Sequence, residues 1–299
     1  MENKYDRILK WIIFGTFGFL FVLAILGLIR GLAYGQEIEL KITPNPAHPG
    51  DLILVEVKGM NKDNWIEEKL SVNTAKIKLF PYKDRVIGLV GIPLTQTVRQ
   101  LIMYISVYNS KHDYSYLRNY ELKVEPKDWP ERRVVETAPL SPKKLARYLK
   151  EKALIKKALE TTVDAPLWQQ SFRFPFEKEE ETSPFGQKRI GPTKTRQHRG
   201  VDLRAPTGMP VRSMNSGRVV LTGNFLADGK IVIVDHGLSL HTIYLHLSRI
   251  KIKKGQMVKR GQVLGLSGDT GFSEGPHLHL EVRLNGEAID PLQILDILK

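Results

Sequence analysis

Near its start the chain carries one long, mainly apolar run. Residues 11–29, WIIFGTFGFLFVLAILGLI, carry no charge, and a run of this length is close to what a helix needs to cross a hydrocarbon core. Lys4, Arg7 and Lys10 precede it, so the positive-inside bias predicts a transmembrane helix that holds the rest of the chain outside the cytoplasm. Ala33, Tyr34 and Gly35 form a small-x-small pattern, at which signal peptidase cleavage would give a secreted form instead. Beyond this segment, 1–35, the rhythm changes to alternation. EIELKITP, LILVEVKG, AKIKLFPY, VIGLVGIP, LIMYISVYN and YELKVEP read as strands, bounded by Pro, Gly, Asn or Lys-Asp turns. These strands, with no long helix among them, predict a small β-sandwich over 36–128.

Residues 129–183 read as a connector. SPKKLARYLKEKALIKKALE, residues 141–160, opens on Ser-Pro and is predicted helical. It is expected to pack through Leu145, Leu149 and Leu159 and to leave a basic face in solvent. EKEEE, residues 177–181, reads as an exposed acidic turn that meets the basic segment KRIGPTKTRQHR. From about residue 184 glycines become frequent and strands recur at close spacing: GMPVRSM, SGRVVLTG, GKIVIVDHG, HTIYLHL, GQMVKRG, QVLGLSG and HLHLEVRLNG. The brief tail PLQILDILK is the one substantial helix candidate there, so 184–299 is predicted to be a compact β domain. The fold class is mainly β, with two modest domains each expected to bury its own core.

Charge narrows the partners. There are 45 Lys plus Arg against 32 Asp plus Glu, a net charge of +13, which favours a polyanionic neighbour. No C2H2 pattern, GxxG clamp or RNP-like strand accompanies that charge, and nucleic acid is set aside as a partner. The chain has no cysteine, so disulfides and thiolate ligands are excluded and a metal site must use His, Asp or Glu.

Chemistry-bearing residues concentrate in the last third. His277 and His279 lie two apart in HLHL, and on a strand they share one face while Leu278 and Leu280 take the other. Two imidazoles on one face of an apolar strand are costly to bury unless they meet a metal or good hydrogen-bond partners. HRGVD adds His198 and Asp202, with Gly200 allowing a turn between them. His246, in YLHLS, alternates with Thr242 and Tyr244 and is expected on their face. A catalytic zinc site uses three protein ligands and a water. One carboxylate and two of the four imidazoles would suffice, leaving two for acid–base work. His236 and His241 are expected outside the site. His48 and His112 fall in probable loops and read as ordinary exposed histidines.

The segments HRGVDLRAPTGMPV, IVIVDHG, HTIYLHLS, VKRGQVLGLSGDTG and GPHLHLEVRLNG resemble the catalytic domain of lysostaphin-type zinc metallopeptidases over 184–292. The resemblance implies a duplicated hybrid β motif and a Zn²⁺ site with His198, Asp202 and His279 as ligands. It places His246 and His277 beside the metal water as catalytic groups. It implies hydrolysis of peptide cross-links in bacterial peptidoglycan during cell wall remodelling. An inner-membrane location with extracytoplasmic C-terminal domains follows from the N-terminal helix. The 36–128 domain is expected to gate the groove or to meet an envelope regulatory protein. The alternative is a non-catalytic envelope binding or regulatory protein that retains the peptidase fold. Glu274, in TGFSEGPHLHLE, departs from the family pattern and alters charge near substrate entry.

Overall fold

The protein is described from a computed structural model, over residues 39–59, 67–72, 75–109, 114–135 and 139–299. Two four-stranded sheets open the fold. The first has the order β1 (Glu39–Thr43), β2 (Leu52–Lys58), β6 (Arg85–Gly91), β5 (Leu79–Tyr82). The second runs β4 (Ala75–Ile77), β3 (Glu67–Val72), β7 (Gln100–Asn109), β8 (Tyr114–Lys123). Between them Ile53, Val55, Val57, Val86 and Val90 pack on Leu101, Met103, Ile105 and Leu122. Strand β3 escapes the hydrophobic pattern because EEKLSV begins with three charged residues.

Both faces of the first sheet are buried. Leu52, Leu54, Ile87 and Leu89 point away from that sandwich, into a core shared with the C-terminal half. Four consecutive apolar residues in β2 are the sequence mark of a strand covered on both sides. The core between the halves holds Trp168, whose ring lies edge-on to Phe80, Tyr82 and Phe172. Tyr82 also donates its hydroxyl to the carbonyl of Leu298 (2.8 Å). Each half buries a cluster of its own, and a further apolar cluster spans them through the middle sheet.

An eight-stranded sheet organises the C-terminal half. Its main path is β10 (Glu181–Ser183), β13 (Val201–Arg204), β21 (His277–Leu284), β17 (Leu240–Leu247), β16 (Gly229–Asp235), β15 (Gly217–Phe225), β19 (Met257–Val258), with β22 (Glu287–Ile289) on β21. A three-stranded sheet, β14 (Pro210–Arg212), β20 (Val263–Leu266), β18 (Arg249–Ile250), adjoins it. Helix α1 (Pro142–Leu159) covers part of the face away from the shared core, placing Ile155, Ala158 and Leu159 against Val220, Ile233 and Ile243. Leu145 and Leu149 are 44% and 58% exposed rather than packed. The first half of the helix is held instead by polar contacts. Arg147 pairs with the buried Glu151, which accepts the N–H of Leu226, and Lys152 pairs with Asp228. Glu180, in the acidic run, pairs with Arg204 rather than with the basic segment. A short helix α2 (Gln293–Ile297) closes the chain.

The mainly β class holds, and its membrane component is corrected. Among the described residues no helix is long and apolar enough to cross a membrane. A spanning helix needs about 20 predominantly apolar residues, whereas α1 carries Lys143, Lys144, Arg147, Lys150, Glu151, Lys152, Lys156 and Lys157. The run 11–29 and its flanks lie outside the described residues, as does His112. The transmembrane helix, the membrane as partner and the inner-membrane location are therefore withdrawn.

Candidate metal centre

Strands β13 and β21 carry the centre. Their antiparallel register sets Asp202 opposite His279 and Arg204 opposite His277. Along β21, Leu278, Leu280, Val282 and Leu284 enter the shared core. His277, His279, Glu281 and Arg283 therefore line up on the other face. His198 precedes β13 and is fixed by its backbone. Its N–H donates to Gln187 O (2.9 Å) and its carbonyl accepts from Gly186 N–H (2.8 Å). A side chain at Gly200 would lie 2.3 Å from Leu280 O and 2.8 Å from His279 Nε2. Only glycine lets His198 and Asp202 fold this closely onto β21.

His246 reaches the same face by a different device. Regular alternation would send it with Tyr244 into the core. The register between β16 and β17 shifts between Lys230 and Val232, leaving one extra residue on β17. His246 sits in that bulge with φ 60°. Such bulges re-aim side chains, and a non-glycine residue in this region costs about 1–3 kcal/mol. The expected shared face with Thr242 and Tyr244 is thus corrected. Tyr244 is fully buried and accepts the N–H of Met214 (2.9 Å), while the His246 ring centroid lies 4.8 Å from His277 and 6.1 Å from His279.

Three atoms converge at the centre. His198 Nε2 is 3.0 Å from His279 Nδ1 and 3.1 Å from Asp202 Oδ1, and the last two are 2.7 Å apart. The edge of a tetrahedral zinc site is about 3.3 Å, from ligand distances near 2.0 Å, so small outward shifts of these atoms would seat an ion. Each group is also oriented from behind. His198 Nδ1–H donates to Pro184 O (2.9 Å), His279 Nε2–H donates to Glu281 Oε1 (3.1 Å), and Asp202 Oδ2 accepts from Arg189 (2.7 Å). These outer bonds fix the tautomers and turn a lone pair of each group toward the shared point. His198, Asp202 and His279 form the metal-type cluster found among the described residues. His246 and His277 donate Nδ1–H to Thr270 O and Gly275 O, both at 2.8 Å. In each ring Nε2 is the nitrogen not engaged by these bonds, and His277 Nε2 is 3.7 Å from Asp202 Oδ1.

Burial and charge separate the imidazoles. Burial pushes His246 down to about 4 despite its bond to Thr270, so the ring is neutral at pH 7. Burial likewise lowers His198. For His279 burial pulls downward too, but the hydrogen bonds to Asp202 and Glu281 and their negative charge win, raising it to about 9 without a metal. Burial opposes ionisation of Asp202, yet its hydrogen bonds to His198 and His279 hold the carboxyl well below the carboxylate range.

Glu281 and Arg189 are functional neighbours that the sequence reading passed over. Glu281 had a detectable mark, since it stands two residues beyond His279 in HLHLE. Arg189 had none, because it reaches Asp202 only once β11 (Lys188–Ile190) folds alongside. His236 and His241 lie apart. His236 bonds to Ser216 O and Thr242 Oγ1, and His241 to Thr161 O. His48 holds its own turn, its N–H donating to Asp51 (2.7 Å).

A profile of peptidase family M23 matches residues 196–291. The chain is 43% identical over 114 residues to the peptidoglycan DD-endopeptidase ShyA of Vibrio cholerae, covering 38% of this chain and 26% of that protein. It is 39% identical over 114 residues to the DD-carboxypeptidase/endopeptidase Mpg of Neisseria meningitidis, with the same two coverages. The chain thus spans about a quarter of the length of these relatives. A crystal structure of a Pseudomonas aeruginosa protein assigned to peptidase M23 superposes with a TM-score of 0.64 at 26% identity, covering 84% of this chain and 95% of that one. That coverage extends the likeness past the eight-stranded sheet into the N-terminal half. The C-terminal part of the chain thus has the fold of the M23 zinc metallopeptidases, and over that part the chain is related to the DD-endopeptidases.

Proposed function

We propose that the protein is a zinc-dependent endopeptidase that hydrolyses peptide cross-links of bacterial peptidoglycan, with a role in cell wall remodelling. The observation that carries this reading is the convergence of His198 Nε2, Asp202 Oδ1 and His279 Nδ1 beside two further imidazoles. Two nitrogens and one carboxylate oxygen suit zinc, and the three groups behind them hold the donors in place. Zinc bound there would supply Lewis acidity toward a carbonyl oxygen and lower the pKa of water.

The remaining work falls to the chain. His246, neutral at pH 7, accepts a proton at Nε2 while Thr270 O anchors its Nδ1–H. His277 is held by Gly275 O with its ring 4.8 Å from that of His246, where it is placed to stabilise developing negative charge. The peptidoglycan substrate is supported by the named activities of the two curated relatives. The test is incubation of the full chain with cross-linked peptidoglycans, with and without a chelator, followed by mass spectrometry. Chelator-sensitive release of cleaved peptides is expected. Full zinc occupancy with no product from several cross-link chemistries would sink the reading.

A further inference from the structure

One wall of the cleft carries a feature that metal binding leaves unexplained. A three-stranded sheet joins β12 (Thr195–Gln197), β11 and β9 (Glu131–Arg133). Its register sets Arg196 opposite Arg189, and Arg189 opposite Arg132. Directly paired residues share a face and neighbouring strands lie about 4.8 Å apart, so three guanidinium groups form one row. Like charges placed opposite each other destabilise a sheet unless anions meet them.

The row faces the metal centre. Arg189 reaches Asp202 Oδ2 (2.7 Å), and its Nε–H is buried with no partner among the described residues. Arg132 reaches across to Glu274 (2.7 Å), in the loop whose Gly275 carbonyl holds His277. No ion pair involves Arg196 among the described residues, and it is exposed. A row of cations, one aimed at a ligand of the metal site and one already occupied by a carboxylate from the opposite loop, fits an anionic substrate group.

We propose that Arg132, Arg189 and Arg196 form a carboxylate-reading wall, which selects peptides bearing a carboxylate beside the scissile bond over neutral ones such as all-glycine bridges. Glu274 occupies Arg132 as an internal substitute that a substrate carboxylate displaces. The proposal rests on the peptidase reading above and specifies the substrate class of that site.

The test uses the full zinc-loaded chain and cross-linked peptides released from peptidoglycan, before and after carbodiimide amidation of their carboxylates. Both kcat/KM of the wild type and Kd for the His246→Ala protein are measured. Charge-assisted hydrogen bonds at a partly exposed site predict a preference of about tenfold for the native form. Arg196→Gln should bring that ratio close to one, and Arg196→Lys should retain part of it. Glu274→Gln should tighten binding of the native form by up to about fivefold, the range of an exposed ion pair. Zinc content and Tm verify that each variant is folded.

Equal binding of both peptide forms by the parent protein overturns the proposal. So does an Arg196→Gln effect of the same proportion on both forms, which is what a purely structural arginine would give. Tight, Arg196-dependent binding of the native peptides without cleavage would remove the peptidase reading and leave the wall standing. Cleavage of both forms at equal rates would do the reverse.

Discussion

Glu281 touches no reacting atom in the proposed reaction, yet it accepts the Nε2–H of His279 and is held in turn by Arg283. Glu281→Gln keeps the shape and removes the charge, so metal affinity should fall by about 10- to 100-fold. Competition with a chromogenic chelator measures this, and an unchanged affinity would refute it. Removal of a ligand and of a base should also separate. His279→Ala should lose metal and activity together. His246→Ala should keep most of its metal while kcat falls by about 10²–10⁴-fold. Metal analysis beside turnover distinguishes them, and an active, metal-free His279→Ala protein would end the ligand assignment. His236 gives a residue-level prediction about pH. Burial pushes it down to about 4, although its bond to Ser216 opposes this. The unfolded chain binds a proton near pH 6.5, so stability present above that value is lost as pH falls toward about 4. The two and a half units correspond to about 3 kcal/mol. The stability gap between wild type and His236→Asn should therefore shrink by about that much between pH 7.5 and 4, as read by urea unfolding. A constant gap would show that His236 does not titrate in this way.

Elements differ in how plainly they are written in the sequence. Strand β21 is fully legible, because HLHLEVRL alternates without a break and the parity of His277 and His279 follows from it. Strand β17 is not, since one extra residue at His246 reverses parity and nothing in YLHLS announces it. The bulge depends on pairing with Lys230 and Val232, a relation between distant segments. The short strands β9, β11 and β12 were invisible for a related reason. Three residues each give no period, and only their mutual register brings Arg132, Arg189 and Arg196 into line. Helix α1 was legible as a helix but not in its contacts. Its polar side, through Arg147, Glu151 and Lys152, binds the β15–β16 turn, while Leu145 and Leu149 remain exposed. Glu151 is buried and holds both Arg147 and the Leu226 N–H. Glu151→Ala should cost about 1–3 kcal/mol by leaving that part-buried donor unmet, while Leu149→Ala should change stability by less than about 0.5 kcal/mol. Chemical denaturation of the two variants checks the contrast, and similar costs would argue that the helix is held by its leucines.

Across the whole molecule, the shared apolar cluster couples the sandwich to the eight-stranded sheet. Trp168 joins them, touching Phe80 and Tyr82 on one side and Phe172 on the other. Trp168→Ala should destabilise the protein by about 3–5 kcal/mol. Heating should unfold both halves of the wild type in one calorimetric transition, and two well-separated transitions would contradict the coupling.

The position of those aromatic rings bears on how such a protein could be recombined. The matched family segment begins at residue 196, but Trp168, Phe172 and Phe176 belong to the core beneath it. A graft cut at the family boundary would carry His198, Asp202 and His279 and leave behind aromatic residues of the cluster to which Leu280 and Val282 belong. The natural seam for exchange lies upstream, before the aromatic segment. Even there, a new N-terminal partner must bring its own apolar sheet face to lie where Leu52, Leu54 and Leu89 now rest. Swapping of front halves is thereby restricted to partners with a matching face.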